Sequence, residues 1–401
     1  MKKLFNNFIF KLIVAVLLGV LIGTYSNNNF IQIISTIKYV LGQIIFFSIP
    51  LIILGFIAPS IAKLIGFIAP SIAKLKGNAS KLLSYAVLIA YSSSVFAALF
   101  SMFAGYNIIP KLSIVSNNTV TKELPDLLFK LDIPPIMSVM SALVLALFLG
   151  LATAWTKSDL VEKLLIQFQN IILSIVERII IPILPIFIAT NFACLAYEGG
   201  ISKQLPIFFK VIIIVIIGHF IWLTVLYSIA GIVSKENPWE VAKNYGPAYL
   251  TAVGTMSSAA TLPVALKCAK KSKVLRDDIA DFAIPLCANI HLCGSVLTEV
   301  FFIMTVSQLL YGKLPNLSTM ILFIVLLGIF AIGAPGVPGG TVMASLGLIT
   351  GVLGFTEAGT ALILTIFALQ DSFGTACNVT GDGAIALMLT RVKGKNDAEL
   401  A

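Results

Sequence analysis

The segment from about 358 to 389 is apolar, yet Asp371, Thr375, Asn378 and Asp382 recur within it at offsets of i, i+4, i+7 and i+11. At about 100° per residue, all four project from one narrow arc of a helix. A carboxylate near a bilayer centre costs roughly 2.5–3.5 kcal/mol on insertion scales. Two on one face, with a hydroxyl and an amide between them, read as the lining of a polar site inside a membrane.

Composition places the rest of the chain in the same solvent. Hydrophobic residues make up 58% and charged residues 11%, against roughly 25% charged residues in soluble domains. The expectation is a polytopic membrane protein. The first apolar segment follows Met1-Lys2-Lys3 without an A-x-A-like cleavage site and reads as a retained first span. The net charge of +9 does not point to nucleic acid, because the basic residues cluster in connecting segments, as cytoplasmic anchoring of spans requires. Cys194, Cys268, Cys287, Cys293 and Cys377 lie in or beside hydrophobic segments without metal-site spacing, which argues against structural disulfides. With His219 and His291 as the only histidines, a histidine-based metal centre is not expected.

Candidate spans run roughly 8–25, 36–62, 80–104, 133–155, 164–196, 204–233, 276–310 and 357–390. Two further apolar segments, about 246–266 and 320–353, are interrupted by small residues and proline. One carries Ser257-Ser258-Ala259-Ala260-Thr261-Leu262-Pro263, the other Gly333-Ala334-Pro335-Gly336-Val337-Pro338-Gly339-Gly340. A continuous helix tolerates neither well. Each reads as a re-entrant hairpin of two half-helices, and unwound backbone at depth is tolerated only when buried in protein or lining a wet cavity. Paired interrupted segments of this kind point to a transporter binding site.

Charge placement predicts both termini inside. Lys2 and Lys3, the 63–81 group, Lys157 and Lys163, Lys235 and Lys243, the 267–276 run, and Arg391, Lys393 and Lys395 would all be cytoplasmic, with an external loop at about 105–130. The sequence Gly55–Ile65 repeats almost perfectly as Gly66–Lys76. Eleven residues are about three helical turns, so a helix absorbs the insertion with little change of phase. A tandem duplication in a tolerant connection explains it.

In segment order, and in four motifs, the chain resembles the dicarboxylate/amino-acid:cation symporter family. The motifs are SSAATLP (Ser257–Pro263), ANIHLCG (Ala288–Gly294), GVPGG (Gly336–Gly340) and DSFGTACNVTGD (Asp371–Asp382). The resemblance implies an all-α fold of eight transmembrane helices plus two re-entrant hairpins, with inverted repeats, an elevator mechanism and a homotrimer. It implies scaffold helices in 1–78 (with the duplication at 55–76) and in 105–200. A mobile transport domain would comprise 79–104 and 201–401. It also implies a multi-pass protein of a bacterial cytoplasmic membrane that handles a small amino acid or dicarboxylate, without a cofactor. Carried over by position, Asp371 would bind the substrate amino group. Asn378, with Ser257 and Ser258, would bind its carboxylate beside Val337, Pro338 and Gly339 of the gate tip, with Gly374 and Thr375 in the same pocket. Half-helix N-termini suit a carboxylate because their free N–H groups carry partial positive charge.

Three departures from the family pattern shape the functional expectation. Acidic-substrate members carry an arginine where this chain has Gly374, and an alternative arginine would fall at Met256. Without either, nothing clamps a side-chain carboxylate bidentately, so a neutral amino acid is expected over aspartate or glutamate. The family's sodium-binding Asn-Met-Asp reads His291-Leu292-Cys293, and a thiol is a poor ligand for a hard ion. A residual sodium site at Asn378 and Asp382, with Ser93 and Ser94 nearby, is the alternative. Glu299 lies where proton-carrying members have a glutamate. A free glutamate titrates near ~4.3 and burial disfavours its charged form, so proton coupling through Glu299 is expected, with His291 a second proton-carrier candidate. His219 reads as a structural residue, and Glu177-Arg178 as a local or interfacial pair. The rival readings are a sodium-coupled acidic-substrate symporter, a passive channel, or a transport-dead binding protein. No Ser/His/Asp dyad, His-Glu-x-x-His or paired catalytic acids in a plausible motif supports an enzyme.

Overall fold

The computed structural model describes residues 8–73, 78–112, 114, 122–334 and 336–391. Lys2, Lys3, Pro335, Lys393, Lys395 and the last three residues of the duplication lie outside the described residues. All regular structure among the described residues is helical.

The helices are α1 (Phe8–Tyr25), α2 (Asn28–Ala73), α3 (Asn78–Ile108), α4 (Val139–Thr156), α5 (Asp159–Ile175), α6 (Ile181–Tyr197) and α7 (Ile201–Ser234). They continue as a short α8 (Trp239–Ala242), then α9 (Gly246–Thr255), α10 (Ser258–Ala269), α11 (Asp277–Ile290), α12 (Cys293–Tyr311), α13 (Leu317–Gly333), α14 (Gly340–Gly351) and α15 (Glu357–Leu389). Among the described residues, six stretches are long and apolar enough to cross a membrane: Asn28–Ala62, Leu82–Leu112, Asp159–Tyr197, Gln204–Ser234, Asp277–Tyr311 and Glu357–Leu389. α1 and α4 have 18 residues each and rise about 27 Å at 1.5 Å per residue, close to the ~30 Å hydrocarbon core.

Exposed apolar side chains explain why this bundle needs a lipid solvent. Leu17 and Leu21 on α1, Phe96 and Phe103 on α3, and Phe209 and Phe220 on α7 point outward. Such a girdle would be an aggregation surface in water. By contrast α12 and α15 are enclosed almost throughout. That enclosure is what permits polar residues on α15.

Two packing groups emerge. α2 lies on α4, α5 and α6, and α1 lies on α6. α15 is surrounded by α7, α9, α10, α11 and α12, while α3 packs on α12 and α13. The α1–α6 contact depends on Gly19 and Gly23, one turn apart. A Cβ at these positions would come within 2.3 Å of the Ala189 oxygen and 2.0 Å of the Ala193 oxygen. Small residues let helix backbones approach this closely. Gly23→Val is therefore expected to cost about 1–3 kcal/mol through overpacking, read as a lower Tm of the detergent-purified protein.

The structure differs from the sequence expectation in three places. α2 does not end near 62 but runs on through Ala73, so the duplicated unit lengthens one continuous helix. The segment expected as one span at 276–310 is broken between α11 and α12 at His291 and Leu292, whose ψ values of 104° and 38° leave the helical region. Glu177 and Arg178 form no ion pair with each other. They occupy a π-helical turn, Val176–Ile180, between α5 and α6, and are exposed.

Candidate functional site

Both interrupted segments fold as helix–break–helix. In the first, α9 ends at Met256, which takes a left-handed φ of 53° although it is not glycine. Such conformations cluster where surrounding structure holds a functional tip in place. Ser257 follows in extended conformation and caps α10, accepting from the Ala260 N–H at 3.2 Å. Ser258 is the first residue of α10 and is buried. In the second, α13 ends at Gly333 and α14 begins at Gly340. Gly339 takes φ +72°, a conformation that favours glycine, and lies between Val337-Pro338 and α14.

The two breaks meet. The Ser257 hydroxyl donates to the Gly336 carbonyl at 2.6 Å. The Gly339 N–H donates to Asp371 Oδ2 at 2.7 Å. Both tips thereby converge on the polar stripe of α15, where Asp371, Thr375, Asn378 and Asp382 are between 1% and 4% exposed. A cavity of about 740 Å³ adjoins the tips and is lined by Ser60, Asn170, Glu177, Ser257, Asn289 and Gly336, among others.

The lower part of the stripe is organised by the break after α11. Four N-terminal N–H groups of a helix lack intrahelical partners. Asn378 supplies the cap for α12: its Oδ1 accepts from Gly294 N–H at 2.7 Å and Ser295 N–H at 3.2 Å, while its Nδ2 donates to Ser295 Oγ at 2.9 Å. One Nδ2 hydrogen remains to offer a ligand. Ser94 Oγ accepts from Leu292 N–H at 3.2 Å, and Ser101 donates to the Leu297 carbonyl at 2.6 Å, tying α3 to the same region. His291 bridges the two sides of the break. Its Nδ1 meets Asp382 Oδ1 at 2.9 Å and its Nε2 meets Ser93 Oγ at 2.9 Å, with His291 and Asp382 both fully buried.

Close backbone approach makes this geometry possible. A Cβ on Gly294 would fall 2.5 Å from the Gly374 oxygen and 2.4 Å from Cys377 Cβ. A Cβ on Gly374 would fall 3.3 Å from Ser295 Cα, and one on Gly381 would fall 2.8 Å from His291 Cε1 and 3.3 Å from Cys293 Sγ. Gly374 therefore sits at the contact between α15 and α12, and Cys293 and Cys377 are enclosed there as free thiols.

Glu299 is on α12, fully buried, with Oε1 against Ser345 Oγ of α14 and Oε2 without a partner. Ser345 also reaches the Val342 carbonyl at 3.0 Å. A hydroxyl has one hydrogen to give, and a carbonyl only accepts. The single Ser345 hydrogen is therefore shared between Glu299 Oε1 and the Val342 carbonyl. Glu299 thus links α12 to the half-helix that follows the second tip.

Sequence reasoning did not anticipate the α11–α12 break or the capping duty of Asn378. His219, expected as a structural residue, has its Nε2 3.0 Å from the Gly294 carbonyl and from Thr298 Oγ1, holding α7 to α12. No proline or glycine pair marks residues 291–292. The available signal was polar: a histidine in an apolar run, with carboxylate and amide partners further along the chain.

Comparison with known proteins places this arrangement. The profile of the sodium:dicarboxylate symporter family matches residues 8–392. Excitatory amino acid transporter 2 of Mus musculus is 26% identical over 243 residues, covering 59% of this chain and 42% of that protein. Excitatory amino acid transporter 1 of Homo sapiens is 30% identical over 190 residues, covering 46% and 33%, and the Rattus norvegicus protein is 31% identical over the same length. The matches thus span less than half the length of these relatives. The family and these relatives are transporters, not enzymes. With a family match over nearly its whole length and a girdle of membrane-length apolar helices, the chain is an integral membrane protein that belongs to the sodium:dicarboxylate symporter family.

Proposed function

We propose that the protein is a secondary-active symporter that carries a neutral amino acid and couples its movement to protons through Glu299. One observation carries the substrate half of this reading. A buried carboxylate, Asp371, is held by the backbone of one loop tip while that tip is bonded to the other. A substrate ammonium would pair with Asp371. Its carboxylate would take the N–H groups at the tips and the free Nδ2 hydrogen of Asn378. Gly374 and Met256 offer no guanidinium, so a second substrate carboxylate would be buried unpaired at a cost of several kcal/mol.

Glu299 supports the proton half. It reaches Ser345 on α14 and thereby connects an ionisable group to the gate-forming segment. Substrate and proton would both favour closure of the second tip, so their affinities are linked reciprocally.

The proposed frame is eight spans and two re-entrant hairpins in a homotrimer of a bacterial cytoplasmic membrane, with both termini inside. The group α1, α2, α4, α5 and α6 is the scaffold, and the bundle around α15 is the moving element. The α2–α3 connection would be cytoplasmic by its charge, and the cavity wall includes Ser60 of α2 and Leu83 of α3. The cavity beside the tips is then the inward release route, and the exposed Glu177 in its wall attracts the substrate ammonium as it leaves.

A thermal-shift screen against neutral amino acids, aspartate, glutamate and dicarboxylates at two pH values tests the substrate assignment. Ligands that bind only the folded state raise Tm. The expected result is a shift with neutral amino acids that exceeds any shift with acidic ones. Stabilisation by acidic ligands alone would favour the acidic-substrate reading.

A further inference from the structure

The family takes its name from sodium as the coupling ion, and sodium requires a cluster of oxygen ligands with free lone pairs. The Asn378–Asp382 stripe is where such ligands would be sought. Two of its oxygens, Asn378 Oδ1 and Asp382 Oδ1, are already engaged by the protein's own groups. Asn378 Oδ1 accepts two backbone N–H bonds from the start of α12, at 2.7 and 3.2 Å. Asp382 Oδ1 faces His291 Nδ1 at 2.9 Å, and the far side of that ring is held by Ser93 at 2.9 Å. Cys293, on the next turn of backbone, contributes sulfur to the space beside Gly381. Among the described residues no group of three or more His, Cys, Asp and Glu side chains is arranged to hold a metal ion.

We infer that this site does not bind sodium, because the His291 ring takes the position beside Asp382 that a coordinated cation would need. Whichever ring nitrogen carries the hydrogen, the imidazole fills the space beside Asp382 Oδ1 and Ser93 Oγ, so the inference rests on the position of the ring. The Ser93–His291–Asp382 chain is a fixed strut between α3, the α11–α12 break and α15. The family's ion site is thereby replaced by an internal hydrogen-bonded cross-link. This deepens the proposed proton-coupled reading but is measured without transport, so failure of the amino-acid assignment leaves it standing.

The test is ion binding to the purified full chain, without substrate. Sodium chloride replaces choline chloride at constant ionic strength while Tm is followed, and retention of radioactive sodium is measured with and without excess unlabelled sodium. The expected wild-type result is superimposable Tm curves for the two salts and no displaceable radioactive sodium. A saturable, sodium-specific rise in Tm, or displaceable label, overturns the inference. The paired change His291→Asn with Cys293→Asp removes the imidazole and restores an oxygen ligand. It is expected to gain a sodium-specific Tm rise and displaceable label. A monodisperse double variant that remains blind to sodium would show that the imidazole is not what excludes the ion. Should the double variant fail to fold, the wild-type titration alone decides the matter.

Discussion

Replacing Asp371 by alanine is expected to lower amino-acid affinity by two orders of magnitude or more and to abolish uptake. The figure follows from removing one partner of a buried charge pair, which costs about 3–5 kcal/mol. Asp371 has two duties in this structure, since its Oδ2 also accepts the Gly339 N–H. Asp371→Asn separates them. The amide oxygen still accepts from Gly339, so the tip keeps its anchor, but the charge that pairs with an ammonium is gone. Both variants are expected to elute as the wild type does, because neither removes apolar packing. Both are expected to lose the ligand-induced rise in Tm. Normal binding in the asparagine variant would show that Asp371 is a gate latch and not a substrate partner.

Glu299→Gln is expected to leave substrate binding near the wild-type level and to remove the response of uptake to pH. Wild-type uptake should rise as the external side is made more acidic, because the proton enters with the substrate. Glutamine fills the same volume and retains a contact with Ser345, but it cannot load or release a proton. Initial uptake rates across a pH series check this: the variant's profile should be flat. A variant that keeps the full pH response would make Glu299 a structural acid that only joins α12 to α14.

The fold was legible where physics writes in one dimension. Long apolar segments, and the small residues and prolines that break two of them, predict their elements without knowledge of neighbours. The stripe on α15 was equally visible, since a continuous helix converts spacing directly into a shared face. Where the elements meet was not legible. Only the histidine itself marks the break at His291 and Leu292 locally. It persists because Asn378 and Ser94, from helices distant in sequence, satisfy the N–H groups that the break exposes. The joining of Ser257 to Gly336 likewise depends on two tips 79 positions apart. Glu177 and Arg178 looked like a pair because they are adjacent, but successive residues on a helix do not face each other, and the π turn leaves both outward.

The departures at positions 291, 293 and 374 are informative for a physical reason. Gly374 is not merely a missing arginine. It is the place where α12 and α15 touch, and a Cβ there would press on Ser295 Cα at 3.3 Å, which would have to give by a few tenths of an ångström. His291 is not merely a missing amide, because it has acquired partners on both ring nitrogens. Under the proposed reading, the glycine at 374, the imidazole beside Asp382 and the buried acid at 299 would all favour a substrate with one carboxylate and a coupling ion that needs no coordination shell.

The most direct measurement is uptake of radiolabelled neutral amino acids into proteoliposomes in sodium-free buffer, driven only by an inward proton gradient. The expected result is accumulation above the equilibrium level that collapses when a protonophore is added. Uptake that merely equilibrates, or accumulation that appears only when a sodium gradient is supplied, would contradict it.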